Sequence, residues 1–169
     1  LRFESIYNVT STSPLIKAAE GSQTRSIVGY DYYLDERNDP VIPTGGWDLL
    51  LSQDFAGVGG SVRYLSSQLL VHNYYQLAEN YVLTLRADLG YIQGIGQDVR
   101  LNDRFFKGGQ DFRGFKSAGL GPRDLTTDDA IGANGYAFGT AEMSFPNGLP
   151  EALGITTSLF TDFGIVGGA

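Results

Sequence analysis

Cysteine is absent from this chain of 169 residues, which removes disulfide frameworks, thiolate metal sites and cysteine nucleophiles together. Histidine occurs once, as His72, between Val71 and Asn73 in a strand-like run. A wall residue is the simpler reading there than a catalytic base. No serine stands in a Gly-x-Ser-x-Gly elbow. Gly94-Ile95-Gly96 and Gly108-Gly109 lack the Lys-Ser/Thr of a phosphate loop and open no helix. The acids Asp35, Glu36 and Asp39 do not have EF-hand spacing; they read as a solvated turn capped by Arg37. Asp128-Asp129 reads as an exposed loop pair. These absences argue against an enzyme and call for no cofactor and no metal. Charge is also sparse: 18% of residues are charged and the net charge is -7, the wrong sign for nucleic acid, which needs a basic face. No apolar run approaches the ~18 residues of a transmembrane helix. The first residue is Leu1 and no export signal is present, so the expectation is an excised piece of a longer protein.

Against these gaps stand 23 glycines, 10 tyrosines and 10 phenylalanines. The clearest order lies between Tyr81 and Tyr91. Tyr81, Leu83, Leu85, Ala87, Leu89 and Tyr91 share one face; Val82, Thr84, Arg86, Asp88 and Gly90 share the other. A two-residue period is the signature of a strand with unlike faces. Ten steps of about 3.3 Å span roughly 33 Å. Tilted by about 40°, such a strand rises roughly 25 Å, the height of the apolar band between the aromatic girdles of an outer-membrane barrel. A soluble sandwich strand alternates equally well, so length must decide between them.

Other segments repeat the pattern. Trp47, Leu49, Leu51 and Phe55 oppose Asp48, Ser52 and Asp54. Leu1, Phe3, Tyr7 and Val9 oppose Arg2, Glu4 and Asn8. Val28, Tyr30, Tyr32 and Leu34 oppose Arg25, Gly29 and Asp31. Residues 61–75, 134–146 and 154–166 complete about seven strands, the inward face of 61–75 being unassigned. Turns are marked by Asn38-Asp39-Pro40, Gly57 to Gly60 and Pro146-Asn147-Gly148. Strands of about ten residues exceed the usual five or six of soluble sandwiches and favour an antiparallel transmembrane β-barrel. Seven strands do not close an even-numbered barrel, and open edges in lipid leave backbone groups unsatisfied. The expectation is therefore one partial barrel domain over 1–169, with further strands outside it and a long loop at about 94–132 folded into the lumen.

Two motifs carry a resemblance. One is the turn Asp35-Glu36-Arg37-Asn38-Asp39-Pro40-Val41-Ile42-Pro43-Thr44-Gly45-Gly46. The other is the loop Phe105-Phe106-Lys107-Gly108-Gly109-Gln110-Asp111-Phe112-Arg113-Gly114-Phe115, followed by Gly121-Pro122. Together they resemble the BamA-like outer-membrane assembly and translocation barrels, over essentially the whole chain. Phe112 stands where an aliphatic residue is commoner. The resemblance implies a sixteen-stranded barrel preceded by periplasmic POTRA domains, neither complete here. It implies functional residues Phe112, Arg113, Gly114 and Phe115 in the lid, with Asp35, Arg37, Asn38, Pro43 and Gly45 shaping the turn. The face rule puts Glu142 and Asp162 in the lumen, and the family pattern pairs the loop arginine with acids at those positions. The implied function is folding and insertion of β-barrel proteins into the bacterial outer membrane. The implied partners are unfolded outer-membrane protein precursors, periplasmic assembly lipoproteins and membrane lipid. A polypeptide translocator of the two-partner secretion type and a passive porin are the competing expectations.

Overall fold

The computed structural model describes residues 2–6, 13–17, 21–149 and 154–168. Among them are eight strands: β1 (Arg2–Ile6), β2 (Gly21–Arg25), β3 (Ile27–Asp35), β4 (Gly46–Ala56), β5 (Tyr64–Ala78), β6 (Tyr81–Gly94), β7 (Gly135–Phe145) and β8 (Thr157–Gly167). A single helical turn, α1, covers Pro14–Lys17. β3 to β8 form one six-stranded antiparallel sheet in chain order, and β1 pairs with β2 in a separate sheet. The architecture is all-β, a curved barrel wall made of sequential hairpins.

Two expectations need correction. The wall has six strands rather than seven, and the β1–β2 hairpin is short, five residues a strand. Arg25 ends β2 instead of sharing a face with Gly29 and Asp31 in β3. The chain breaks at Ser26, whose carbonyl accepts from the Gly57 amide (3.1 Å), while Thr24 turns its carbonyl to Ser61 (2.9 Å). Part of the expected face at the N-terminal end, at Leu1 and from Tyr7 to Val9, lies outside the described residues. The long loop runs over residues 95–134, a little beyond the expected 94–132, because β7 begins only at Gly135.

Register converts the two-residue period into faces. One row on the inner side runs Asp35, Asp48, His72, Arg86, Thr140, Asp162 across all six strands. The next row runs Tyr74, Thr84, Glu142, Phe160. The outer side carries rows such as Leu51, Leu69, Leu89, Ala137, Ile165. In β6, Tyr81, Leu85, Leu89 and Tyr91 are exposed, whereas Val82, Asp88 and Ile92 are buried. β5 thus turns Tyr64, Ser66, Gln68, Leu70 and His72 inward, which its sequence left open. Large apolar groups are exposed on the outside and polar groups line the inside, the reverse of a soluble domain and the pattern of a strand wall in lipid.

The turns at the end opposite the long loop are tightly built. Between β3 and β4, Asn38 Oδ1 accepts from the amides of Thr44 and Gly45 (both 3.0 Å), and Asp39 Oδ1 accepts from those of Val41 (2.7 Å) and Ile42 (3.0 Å). Asp and Asn suit these positions because their short side chains satisfy amides left free by a turn. The β5–β6 connection is closed by Asn80 in the left-handed region (φ 62°).

Candidate functional site: an arginine-anchored lid

The long loop leaves the wall at β6 and returns at β7, but it does not stay at the rim. It folds as a hairpin-like lid whose limbs are joined by antiparallel bridges, Phe105 to Ala133, Arg123 to Ala130 and Lys107 to Leu120. Gly108 sits at φ 126°, and a Cβ there would lie 2.4 Å from the Lys116 carbonyl oxygen; only glycine lets the limbs approach so closely. The Gly109 amide then donates to the Phe115 carbonyl (2.8 Å) and closes the tip that carries Arg113.

Arg113 reaches the inner face of two adjacent strands. Its Nε and Nη2 donate to the two oxygens of Asp162 on β8, and its Nη1 donates to Glu142 Oε2 on β7, each at 2.8 Å. The planar fork of arginine is what makes a bidentate carboxylate pair and a third bond compatible. Both acids are pre-oriented by hydroxyls. Thr140 Oγ1 donates to Asp162 Oδ1 (2.8 Å), and Ser158 Oγ donates to Glu142 Oε1 (2.7 Å). The guanidinium carbon lies 3.3 Å from the centre of the Phe160 ring, so the cation also rests on an aromatic face. Asp162 hydrogen bonding, followed by that of Glu142, raises the Arg113 pKa above the ordinary arginine value. The anchor stays charged at every relevant pH.

The sequence placed Arg113, Glu142 and Asp162 together, and the structure brings them together. It did not single out Phe160, Thr140 or Ser158 as partners. Thr140 shares its face with Glu142, and Ser158 and Phe160 share theirs with Asp162, so strand period held their location but not their role. Phe112, the departure from the usual aliphatic residue, packs on Phe138 of β7 (ring centres 5.0 Å apart) and edge-on to Phe115 (5.5 Å). A larger ring at 112 thus fills the space above an aromatic wall position. Gly114, at φ 87°, turns the chain just after the anchor.

The turn residues do not join this site. Arg37 makes a bidentate pair with Asp35, Nε to Oδ1 at 2.8 Å and Nη2 to Oδ2 at 2.6 Å; Pro43 and Gly45 complete the turn held by Asn38. Their role is to fix the β3–β4 connection. Beneath the lid tip a cavity of about 430 Å³ is lined by His72, Thr84, Arg86, Gln110, Arg113 and Glu142, among others. His72 Nδ1 contacts both oxygens of Asp48 (3.0 and 2.9 Å) across the β4–β5 pair, which makes it a satisfied wall residue.

A family model described as the Omp85 superfamily domain matches residues 2–168. The outer membrane protein assembly factor BamA of Neorickettsia risticii is 34% identical over 171 residues, covering 99% of this chain and 23% of that protein. The BamA of Nitratidesulfovibrio vulgaris is 31% identical, covering 97% of this chain and 21% of its own length. The sorting assembly machinery 50 kDa subunit of Saccharomyces cerevisiae is 32% identical over 69% of this chain and 24% of that protein. The chain thus spans about a quarter or less of these relatives. Among solved structures, BamA from Haemophilus ducreyi lacking POTRA domains 1–3 superposes with a TM-score of 0.73 at 20% identity, covering 83% of this chain and 29% of that one; this likeness speaks for the fold. A lid arginine held by two wall carboxylates, on a sheet of sequential hairpins matched from end to end by the family model, makes the chain a member of the Omp85 superfamily and its sheet a section of an outer-membrane β-barrel wall.

Proposed function

We propose that the protein to which this wall belongs folds and inserts unfolded β-barrel precursors into the bacterial outer membrane, without covalent chemistry. The bacterial relatives named as outer membrane protein assembly factors support the substrate class. The observation that carries the reading is the lid seated by Arg113 on Glu142 and Asp162. A loop fixed to the inner wall by three charged hydrogen bonds stands in the way of free passage, which weighs against a passive pore. An insertase must hold its own lumen shut while its wall engages a substrate strand. An incoming strand can then add to an exposed edge by backbone pairing, because unpaired backbone in lipid costs several kcal/mol per group. Periplasmic assembly lipoproteins are proposed as further partners.

The test is insertion by the full-length protein. An unfolded outer-membrane protein is added to vesicles containing it, and folding is followed by heat-modifiable gel migration. Arg113→Ala is expected to slow insertion severalfold while the variant itself remains folded. Wild-type insertion kinetics from Arg113→Ala, with loosening of its lid shown by protease accessibility, would overturn the proposal. So would transport of an unfolded polypeptide through the barrel with no insertion, which would mark a translocator.

A further inference from the structure

We propose that Lys107, Tyr136 and Asp88 form a second fastening of the lid, independent of the Arg113 anchor and nearer the lid's root. Tyr136 lies on the inner face of β7 and is 6% exposed. Its phenol donates to Asp88 Oδ1 (2.9 Å). The other Asp88 oxygen accepts from Arg86 Nη2 (2.8 Å). The ring is laid flat on the wall because its neighbour in register is Gly90; a Cβ there would be 2.1 Å from a ring carbon. One face of the ring therefore covers β6, and the opposite face is presented to the lumen.

The lid uses that face. Lys107 Nζ stands 4.0 Å from the ring centre, well inside the range of about 6 Å over which a cation is held by an aromatic face. The Lys107 side chain is only 13% exposed, and shielding from water strengthens such a contact. Its alternative partner, Asp111, is 3.8 Å away and 42% exposed, which makes it the weaker of the two. Two positions earlier, Phe105 packs edge-on to the same ring with centres 5.0 Å apart. The Lys107 carbonyl accepts from Leu120 (3.1 Å), so a hold on Lys107 is a hold on both limbs.

Tyr136 and Glu142 are six positions apart on β7, roughly 20 Å along the strand. The lid is thus pinned at two depths by unlike chemistry: an ion-paired fork at the tip and a ring-stacked ammonium near the root. Either fastening alone keeps the lid in register with the wall, and only loss of both frees it. The inference concerns lid position and does not depend on what the barrel does to a substrate.

Lid position is measured directly in the full-length protein by the distance between spin labels at Gln110, on the lid, and Gln76, on the inner face of β5. Any cysteine outside these 169 residues, which have none, is first replaced by serine. Lys107→Met, which keeps the apolar stem, and Arg113→Ala should each broaden the wild-type distance peak without moving it. The double variant should lose that peak from more than half of the population. Lys107→Arg should restore it in the Arg113→Ala background, since guanidinium also stacks on a ring. In the same background Tyr136→Phe should retain more of the peak than Tyr136→Leu. A double variant indistinguishable from Arg113→Ala alone would overturn the proposal, and so would failure of Lys107→Arg to restore the peak. Lys107 lies on the lid rather than in the wall, so its variants carry the test even where a Tyr136 variant does not fold.

Discussion

At the scale of single residues, the two acids that hold Arg113 are not equivalent. Asp162 takes two of the three bonds and its side chain is 7% exposed; Glu142 takes one and is 34% exposed. Breaking a buried pair typically costs about 3–5 kcal/mol, but exposed pairs are worth about 1 kcal/mol or less. Arg113 is itself 37% exposed, so solvent in the lumen discounts both values. We expect Asp162→Asn to weaken lid seating by about 2 kcal/mol and Glu142→Gln by about 1 kcal/mol or less. Urea dependence of lid protection from added protease measures both, and the reverse order would contradict the bonding described. Arg113→Lys should fall between wild type and Arg113→Ala, because one ammonium cannot reproduce the fork.

Glu142 and Asp162 were legible as lumen acids because strand alternation fixes a face, whereas Arg113 and its pairing with them followed from the resemblance of the loop motif. The other partners of the anchor were not legible. Phe160 is an apolar residue on a wet face, and hydropathy has no rule that puts a ring beneath a cation. Lys107 over Tyr136 depends on the path of a lid with no period of its own, so no spacing along the chain could announce it.

At the scale of elements, the same limit explains the β1–β2 hairpin. Gly21-Ser22-Gln23-Thr24-Arg25 is a polar run without the apolar alternation that marked the wall strands. It forms a strand because it pairs with β1 in a register running from Arg2 with Arg25 to Ile6 with Gly21. The N-terminal segments then meet the lid through buried polar contacts. Arg25 reaches Asp103 at 2.6 Å, and Ser13, just before α1, hydrogen-bonds Asp124. Ser13 and Thr126 hold the Asp124 carboxyl down at about 2, against an ordinary value of about 3.9. A depressed carboxylate stabilises the state that ionises it above the ordinary value, and that contribution is lost as pH falls through the depressed one. A spin label at Lys17 should therefore remain immobile from neutral pH down to about pH 4, and become mobile as pH drops toward about 2 and below. Asp124→Asn should mobilise it already at neutral pH. A transition centred above about pH 5 would assign the docking to another group.

At the scale of the whole molecule, the outward rows are the surface the bilayer sees. Leu85 belongs to that surface, and Thr84, one residue earlier, pairs with Glu142 on the inner side. In the full-length protein in vesicles, a label at Leu85 should relax with lipid-soluble oxygen and one at Thr84 with a water-soluble nickel complex. Exchange of the two responses would turn the sheet inside out. The length of the wall strands and the order of their hairpins were plain in the chain. The seventh strand expected in the wall, at the N-terminal end, is β1, which pairs with β2 in a sheet of its own, and β2 escaped notice because only Ser26 separates it from β3.

The lid lies between β6 and β7 in the chain, yet its tip is tied 29 positions ahead to Glu142 and 49 positions ahead to Asp162. The bidentate half of that tie can form only after β8 has been laid beside β7, so full seating of the tip follows that pairing. Contacts made after the rate-limiting step govern how quickly a structure is lost rather than how quickly it forms. A slip of one residue between β7 and β8 would carry Asp162 to the opposite face of the sheet, where Arg113 could not find it. The anchor therefore makes all three of its bonds only over a β7–β8 hairpin paired in this register.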